Sequence, residues 1–109
     1  MKEKTITMTQ YNLTIGLNDK NTKTQLIKTP QAIKIIKNTL LDYTDGYTIL
    51  SATGGYKHHD NTKITEKSIR VELLFTSDDA VKSIVTRLKQ LLNQESIAVA
   101  IQEINSYLW

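Results

Sequence analysis

Apolar residues alternate with polar or small ones in four segments of the chain, which predicts four β-strands with one buried face each. The first strand is Tyr11–Leu17, and the second spans Gly46–Tyr56. The third is about Thr65–Phe75, and the fourth begins at Ile97, where Ile and Val alternate with Ser and Ala. Within the second strand, Thr53-Gly54-Gly55 predicts a bulge, a turn or a close approach of another backbone.

Two further segments repeat apolar residues at spacings of three and four, which predicts two amphipathic helices. Thr29-Pro30 is expected to begin the first helix, with Thr as N-cap and Pro in the first turn, and Asp45-Gly46 to end it. Its apolar stripe consists of Ile33, Ile36, Leu40 and Tyr43. The second helix follows Thr76-Ser77-Asp78-Asp79, where a hydroxyl cap and two acids suit a helix N-terminus. Its stripe consists of Val81, Ile84, Val85, Leu88, Leu91 and Leu92.

The resulting order β-α-β-β-α-β predicts a ferredoxin-like fold, formed by residues 1–109 as a single domain. In this fold both crossovers are right-handed, and both helices cover the same face of a four-stranded antiparallel sheet. The strand residues expected beneath the helices are Leu13, Ile15, Ile69, Val71, Leu73, Ile97 and Val99.

The other face of the predicted sheet has no helix to cover it. It is expected to carry Asn12, Thr14, Gly16, Leu50, Ala52, Arg70, Glu72, Leu74, Ala98 and Ala100. A face this apolar favours burial against another chain. We therefore predict a homo-oligomer, a dimer or trimer; the alternatives are a docking surface for a different protein and scattered exposed apolar residues without a function. The predicted interface residues are Leu50, Ala52, Leu74, Ala98 and Ala100.

Composition excludes several classes of function. The chain has 109 residues and no cysteine, which rules out disulfides, thiol nucleophiles and Cys-zinc sites and favours a cytoplasmic location. No apolar stretch approaches the roughly 20 residues needed to cross a bilayer. The net charge of +3 comes from dispersed lysines and only two arginines, Arg70 and Arg87, so we expect no sequence-specific nucleic-acid partner.

Candidate catalytic chemistry is sparse. His58-His59-Asp60 lies in a predicted hairpin loop, but adjacent side chains of an extended chain point to opposite sides and rarely bind one metal ion. No G-x-S-x-G or GK[ST] motif occurs in the chain. We therefore expect no catalytic residue, no metal and no cofactor, and we predict that the protein is not an enzyme.

Four stretches of the chain resemble an uncharacterised family of small bacterial and phage proteins: residues 11–17, residues 45–49 with Gly54 and Tyr56, residues 64–68, and residues 93–97. The topology also resembles that of the signalling protein PII, although the uridylylation loop and ATP-binding basic residues of PII are not recognisable. The resemblance implies a ferredoxin-like fold, oligomerisation and a phage or mobile-element setting. The residues it suggests as one site are Gly54, Tyr56, Glu66, Gln94 and Glu95.

From these observations we predict a non-enzymatic binding protein of phage or mobile-element type. It would inhibit a host defence protein, as anti-CRISPR proteins do, or sequester a nucleotide signal of the defence system. The alternative is a PII-like oligomeric sensor that holds a small anionic ligand between subunits near Gly54, Gly55, Lys57 and Arg70. A small enzyme with Glu66 or a histidine as base is a third hypothesis.

Overall fold

The structure, a computed structural model, describes residues 5–108 and confirms the ferredoxin-like fold. Its elements in chain order are β1 (Thr5–Gly16), α1 (Thr29–Leu41), β2 (Thr48–Lys57), β3 (Lys63–Leu73), α2 (Asp78–Leu91) and β4 (Ala98–Tyr107). The strands form one antiparallel sheet in the order β2-β3-β1-β4. Among residues 5–108, no helix is both long enough and apolar enough to cross a membrane.

The two helices begin differently. At α2 the Ser77 hydroxyl accepts a hydrogen bond from the Ala80 backbone N–H (3.1 Å), and Asp78 and Asp79 occupy the first turn, as expected. At α1 the expected cap Thr29 is already helical, and the N-cap is Lys28, whose side chain makes no capping bond. The prediction of Thr29 as N-cap was therefore wrong by one residue.

The end of α1 also differs from the prediction. The helix stops at Leu41, where the backbone N–H groups of Tyr43 and Thr44 both donate to the Leu40 carbonyl (3.0 and 2.8 Å). Gly46 does not adopt a positive φ, so it is not a left-handed cap. Tyr43 consequently leaves the predicted stripe and is 40% exposed.

Both helices pack on one sheet face and bury its alternating apolar side chains. Val99 lies opposite Leu13 on this same face but is 37% exposed, because β4 is an edge strand. Its prediction as a core residue was wrong for that reason. The largest completely buried side chains are Leu13, Ile15, Ile36, Leu40, Ile69, Leu73, Ile84, Leu88 and Val71.

Two strand pairs extend beyond the helices at opposite ends of the sheet. β2 and β3 continue past the end of β1 at Gly16, and the first half of β1 continues with the second half of β4. The molecule is therefore elongated, with a longest extent of 57 Å. The β2–β3 pairing is continuous through Thr53-Gly54-Gly55, so the bulge expected there is absent.

Candidate functional site

A cleft of about 320 Å³ lies on the open face of the sheet, at the end where β1 finishes. All four strands contribute residues to its floor, and the loop after β1 and the turn after α2 form its walls. We call it the Glu66 cleft. Because it opens on the face that the helices leave bare, a ligand can enter it without any movement of the core.

The carboxylate of Glu66 lies over the backbone of Gly16. A Cβ atom added to Gly16 would come within 2.6 Å of both carboxylate oxygens, so only glycine leaves room for this arrangement. The Asn18 backbone N–H donates to Glu66 Oε2 (2.9 Å). Glu66 pairs with Gly54 across β2 and β3, which places Tyr56 on the same face one pleat further along. The carboxylate is thus held at a defined position in the cleft.

Gln94 connects the turn after α2 to the loop after β1. Its side chain is buried, and Nε2 donates to the carbonyls of Asn18 (2.8 Å) and Leu92 (3.3 Å). The Asn18 carbonyl therefore accepts a hydrogen bond from Gln94, and the Asn18 N–H donates one to Glu66.

The turn that carries Gln94 is a helix C-terminal motif with asparagine in the left-handed position. Asn93 has φ +48°, the Gln94 N–H donates to the Lys89 carbonyl (2.9 Å), and the Asn93 N–H donates to the Gln90 carbonyl (3.4 Å). This is the hydrogen-bond pattern of a Schellman motif, which more often uses glycine. The polar side chain of Asn93 remains available to bond Asp19.

Asp19 fastens the loop after β1. Its Oδ1 accepts from Asn93 Nδ2 (2.7 Å), and its Oδ2 accepts from the backbone N–H groups of Asn21 (3.0 Å) and Thr22 (3.1 Å). The Lys20 N–H also donates to the Asn93 carbonyl (3.0 Å). The Asn93 hydrogen bond first, and then the two backbone bonds, lower the pKa of Asp19 below its ordinary value of 3.8.

Tyr56 and Glu95 complete the open side of the cleft. Tyr56 is 48% exposed, and its ring meets that of His58 edge to face, with centroids 5.3 Å apart. Glu95 is exposed in the turn before β4. An aromatic ring and a second carboxylate are thus free to contact a ligand.

The charge of the cleft is opposite in sign to that of the chain. Three carboxylates line it, on Asp19, Glu66 and Glu95, against the ammonium groups of Lys20 and Lys23. This leaves one formal negative charge in a protein whose net charge is +3. The side of the cleft near Glu66 therefore favours a cationic group over an anionic one.

The five residues singled out by the family resemblance come from β2, β3 and the turn after α2, and all of them line the Glu66 cleft. Sequence reasoning did not assign Gly16, Asn18 or Asp19 to this site, although it placed Gly16 on the open face of the sheet. A glycine inside a strand often marks a close approach, so Gly16 offered a signal that was not used.

The residues suggested for an anion site do not share one face. Gly55 and Lys57 lie on the opposite face of the sheet from Gly54. Arg70 lies further along β3, where its neighbours on the adjacent strands are Thr14 and Leu50. No glycine in residues 5–108 has a positive φ, so Gly54-Gly55 does not form the curved backbone of an anion nest.

The histidine pair stays at the β2–β3 hairpin. The His58 N–H donates to the Thr62 carbonyl (2.8 Å), and Asp60 Oδ1 accepts from the Thr62 N–H (3.0 Å). Within the described part of the chain, no three His, Cys, Asp or Glu residues are grouped so as to hold a metal ion.

A second cleft of about 360 Å³ lies at the opposite end of the open face, near Phe75. It contains Asp45 and Glu72, but no hydrogen bond between described residues fixes either carboxylate. Phe75 is 66% exposed with φ +57°. We therefore take the Glu66 cleft, with its oriented carboxylate, as the candidate site.

No protein-family model and no curated protein matches this chain. A phage SAM lyase solved in complex with S-methyl-5'-thioadenosine is similar in structure, with 18% identity over 93% of this chain and 88% of that chain and a TM-score of 0.63. B. subtilis GlnK in complex with ATP is similar as well, with 13% identity over 90% of this chain and 82% of that chain and a TM-score of 0.61. The chain has a PII-like fold.

At these identities the likeness establishes the shared fold alone. The predicted PII-like form of the ferredoxin-like fold is confirmed. The prediction of a non-enzymatic protein fits poorly with an enzyme among the similar structures.

Proposed function

We propose that the Glu66 cleft binds S-adenosylmethionine and that the protein is a lyase releasing S-methyl-5'-thioadenosine from it. The observation that carries this proposal is the Glu66 carboxylate, fixed over Gly16 and bonded by the Asn18 N–H in a cleft of negative formal charge. The structural likeness to a phage SAM lyase supports the choice of substrate.

The charges of S-adenosylmethionine match this cleft. Its sulfonium and ammonium groups are both cationic, and two unit charges about 4 Å apart attract by about 4 kcal/mol near a protein surface. We assign Glu66 to the ammonium group of the substrate. The exposed ring of Tyr56 offers a face on which adenine can stack or a cation can rest.

In this reaction the protein mainly has to hold the substrate in the reactive conformation, because the attacking group belongs to the substrate itself. The bond from the sulfonium sulfur to Cγ of the amino-acid chain breaks, its electron pair stays on sulfur, and the neutral thioether leaves. The substrate's own carboxylate oxygen bonds to Cγ and closes a lactone, so atoms and charge balance without water. Glu66, by holding the neighbouring ammonium group, fixes the carboxylate for attack on Cγ.

This proposal keeps the phage or mobile-element setting but replaces inhibition by catalysis. The protein would act against the host by consuming an adenosine-containing metabolite, whereas the sequence predicts that it sequesters a nucleotide signal. It also keeps the homo-oligomer, because the cleft lies on the face that carries Leu50, Ala98 and Ala100. A second copy on that face would close the cleft to water.

The test is direct detection of S-methyl-5'-thioadenosine by chromatography after incubation with S-adenosylmethionine. We expect product from the wild-type protein and a loss of roughly 100-fold or more in Glu66→Gln, because substrate orientation is lost. Glu72→Gln is the matched control, since Glu72 lies on the same strand and the same sheet face outside this cleft. Absence of product from wild type, or equal losses in both variants, would refute the proposal.

A second candidate is a PII-like sensor of an adenine nucleotide. Lys20 and Lys23 at the cleft wall are the observation that favours it, because ammonium groups suit phosphates. A ligand at 100 times its Kd adds about 2.7 kcal/mol of stability, which a thermal-shift assay detects. If ATP stabilises the protein, and S-adenosylmethionine neither stabilises it nor is turned over by it, the sensor is established and the lyase is rejected.

A further inference from the structure

We infer that Gln94 is a positioning residue for Glu66 and acts on it through the backbone of Asn18. Gln94 Nε2 donates to the Asn18 carbonyl (2.8 Å), and the Asn18 N–H donates to Glu66 Oε2 (2.9 Å). The inference concerns the geometry of the carboxylate, and its catalytic consequence rests on the proposed function.

Gln94 is well placed to fix the loop. Its side chain is only 8% exposed, and a second bond to the Leu92 carbonyl (3.3 Å) restricts the amide group. The turn beneath it is closed by the bonds of Gln94 and Asn93 to the last turn of α2. The end of a packed helix therefore sets the position of the Asn18 carbonyl.

Asn18 transmits this position to the carboxylate. Its carbonyl and N–H belong to the two planar peptide groups that share the Asn18 Cα, so an anchored carbonyl limits the positions that the N–H can take. Loss of the Gln94 amide removes the donor from the carbonyls of Asn18 and Leu92 and releases the wall of the cleft. The Glu66 carboxylate, which lies over Gly16, then loses the hydrogen bond from the Asn18 N–H that selects its rotamer.

Gln94→Met removes the hydrogen bonds while keeping an unbranched side chain of similar length. We expect kcat to fall by roughly 10-fold to 100-fold with a smaller change in KM, because misplacement of an orienting group affects the transition state most. Gln90→Met is the matched control, since Gln90 is exposed in the last turn of α2 and lies outside the Glu66 cleft.

A double-mutant cycle separates positioning from general stability. If Gln94 acts through Glu66, Gln94→Met has little further effect on kcat in a Glu66→Gln background. Independent, multiplicative losses would overturn the inference. Should Gln94→Met fail to fold, Gln94→Leu also removes the donor and buries no charge.

A spectroscopic test does not depend on any activity. In an amide ¹H–¹⁵N spectrum at neutral pH, we expect the Asn18 proton to move upfield in Glu66→Gln, because a neutral acceptor replaces a charged one. Gln94→Met is expected to produce part of the same shift, and Gln90→Met none. An unchanged Asn18 signal in Gln94→Met would overturn the inference; the expected shifts without any lyase activity would retain it and refute the proposed function.

Discussion

At the scale of single residues, the site depends on the absence of a side chain. Gly16 has an ordinary extended backbone, so its conformational freedom is not what the site requires. What matters is that it has no Cβ atom, which leaves space above its backbone. The Glu66 carboxylate occupies that space. A residue without chemistry of its own therefore determines where the charged group of the cleft stands.

We predict that Gly16→Ala impairs the site more than the fold. The new Cβ would lie 2.6 Å from the carboxylate oxygens, which belong to the movable end of a side chain, so Glu66 swings away at a stability cost within about 1 kcal/mol. Turnover of S-adenosylmethionine, measured as product formed, is expected to fall roughly 10-fold to 100-fold.

Gly46→Ala is the control for this substitution. A Cβ atom on Gly46 meets nothing within 4 Å, so turnover should be unchanged. The free energy of unfolding should stay the same or rise slightly, because alanine reduces the entropy of the unfolded chain. Wild-type turnover in Gly16→Ala would show that the observed position of Glu66 is not the productive one. A cooperative unfolding curve for both variants verifies that the comparison concerns folded protein.

The same scale shows why the site was only partly predictable. Tyr56, Glu66 and Gln94 were named from a resemblance, but their convergence depends on strand register and on the turn after α2, which no local pattern encodes. Asn18 contributes through backbone atoms alone. A backbone contribution leaves no signature in residue type, so it becomes visible only in the structure.

At the scale of elements, the pattern predicts best where one face of an element is buried. The central parts of the strands and the cap of α2 at Ser77 agree with expectation because core packing demands alternation and a satisfied N–H. Residues 7–10 and 102–107 form strands beyond the helices, where neither face has to be apolar. Their hydrophobic pattern is correspondingly weak, and the strands were predicted too short.

The loop after β1 is the element most dependent on charge. The Asp19 carboxylate accepts three hydrogen bonds there, and its pKa is lowered in the folded state. A lowered folded pKa stabilises the protein above the unfolded pKa, and this contribution is lost as pH falls through the folded value. We therefore predict that wild type exceeds Asp19→Asn in stability at neutral pH, and that the difference shrinks below about pH 4.

Urea unfolding of both proteins between about pH 7 and pH 3 measures this difference. Asp60, whose pKa is also lowered, is present in both and cancels in the comparison. Asp42→Asn is the control, since the Asp42 carboxylate has no hydrogen bond to any other residue in the range 5–108. A difference that stays constant with pH would contradict the assigned role of the carboxylate.

At the scale of the whole molecule, one face of the sheet remains to be explained. Helices cover only the other face, so Leu50 is 47% exposed, and Ala98 and Ala100 lie on the same bare side; Leu74, predicted there, follows the end of β3 at Leu73. The Glu66 cleft opens there as well. A second copy on this face would account for both observations, because it would bury the apolar residues and shield the cleft from water.

Leu50→Glu tests this assembly without touching the cleft, since Leu50 does not line it. Burial of one leucine contributes about 1.5–3 kcal/mol, and a buried unpaired carboxylate adds a further cost, so we expect a dimer or trimer to dissociate. Sedimentation equilibrium at micromolar concentration would measure the mass. Leu41→Glu, which is 60% exposed at the end of α1, should leave assembly unchanged. If wild type is a monomer that turns over S-adenosylmethionine, the cleft is complete in one chain, and the bare face requires a different partner.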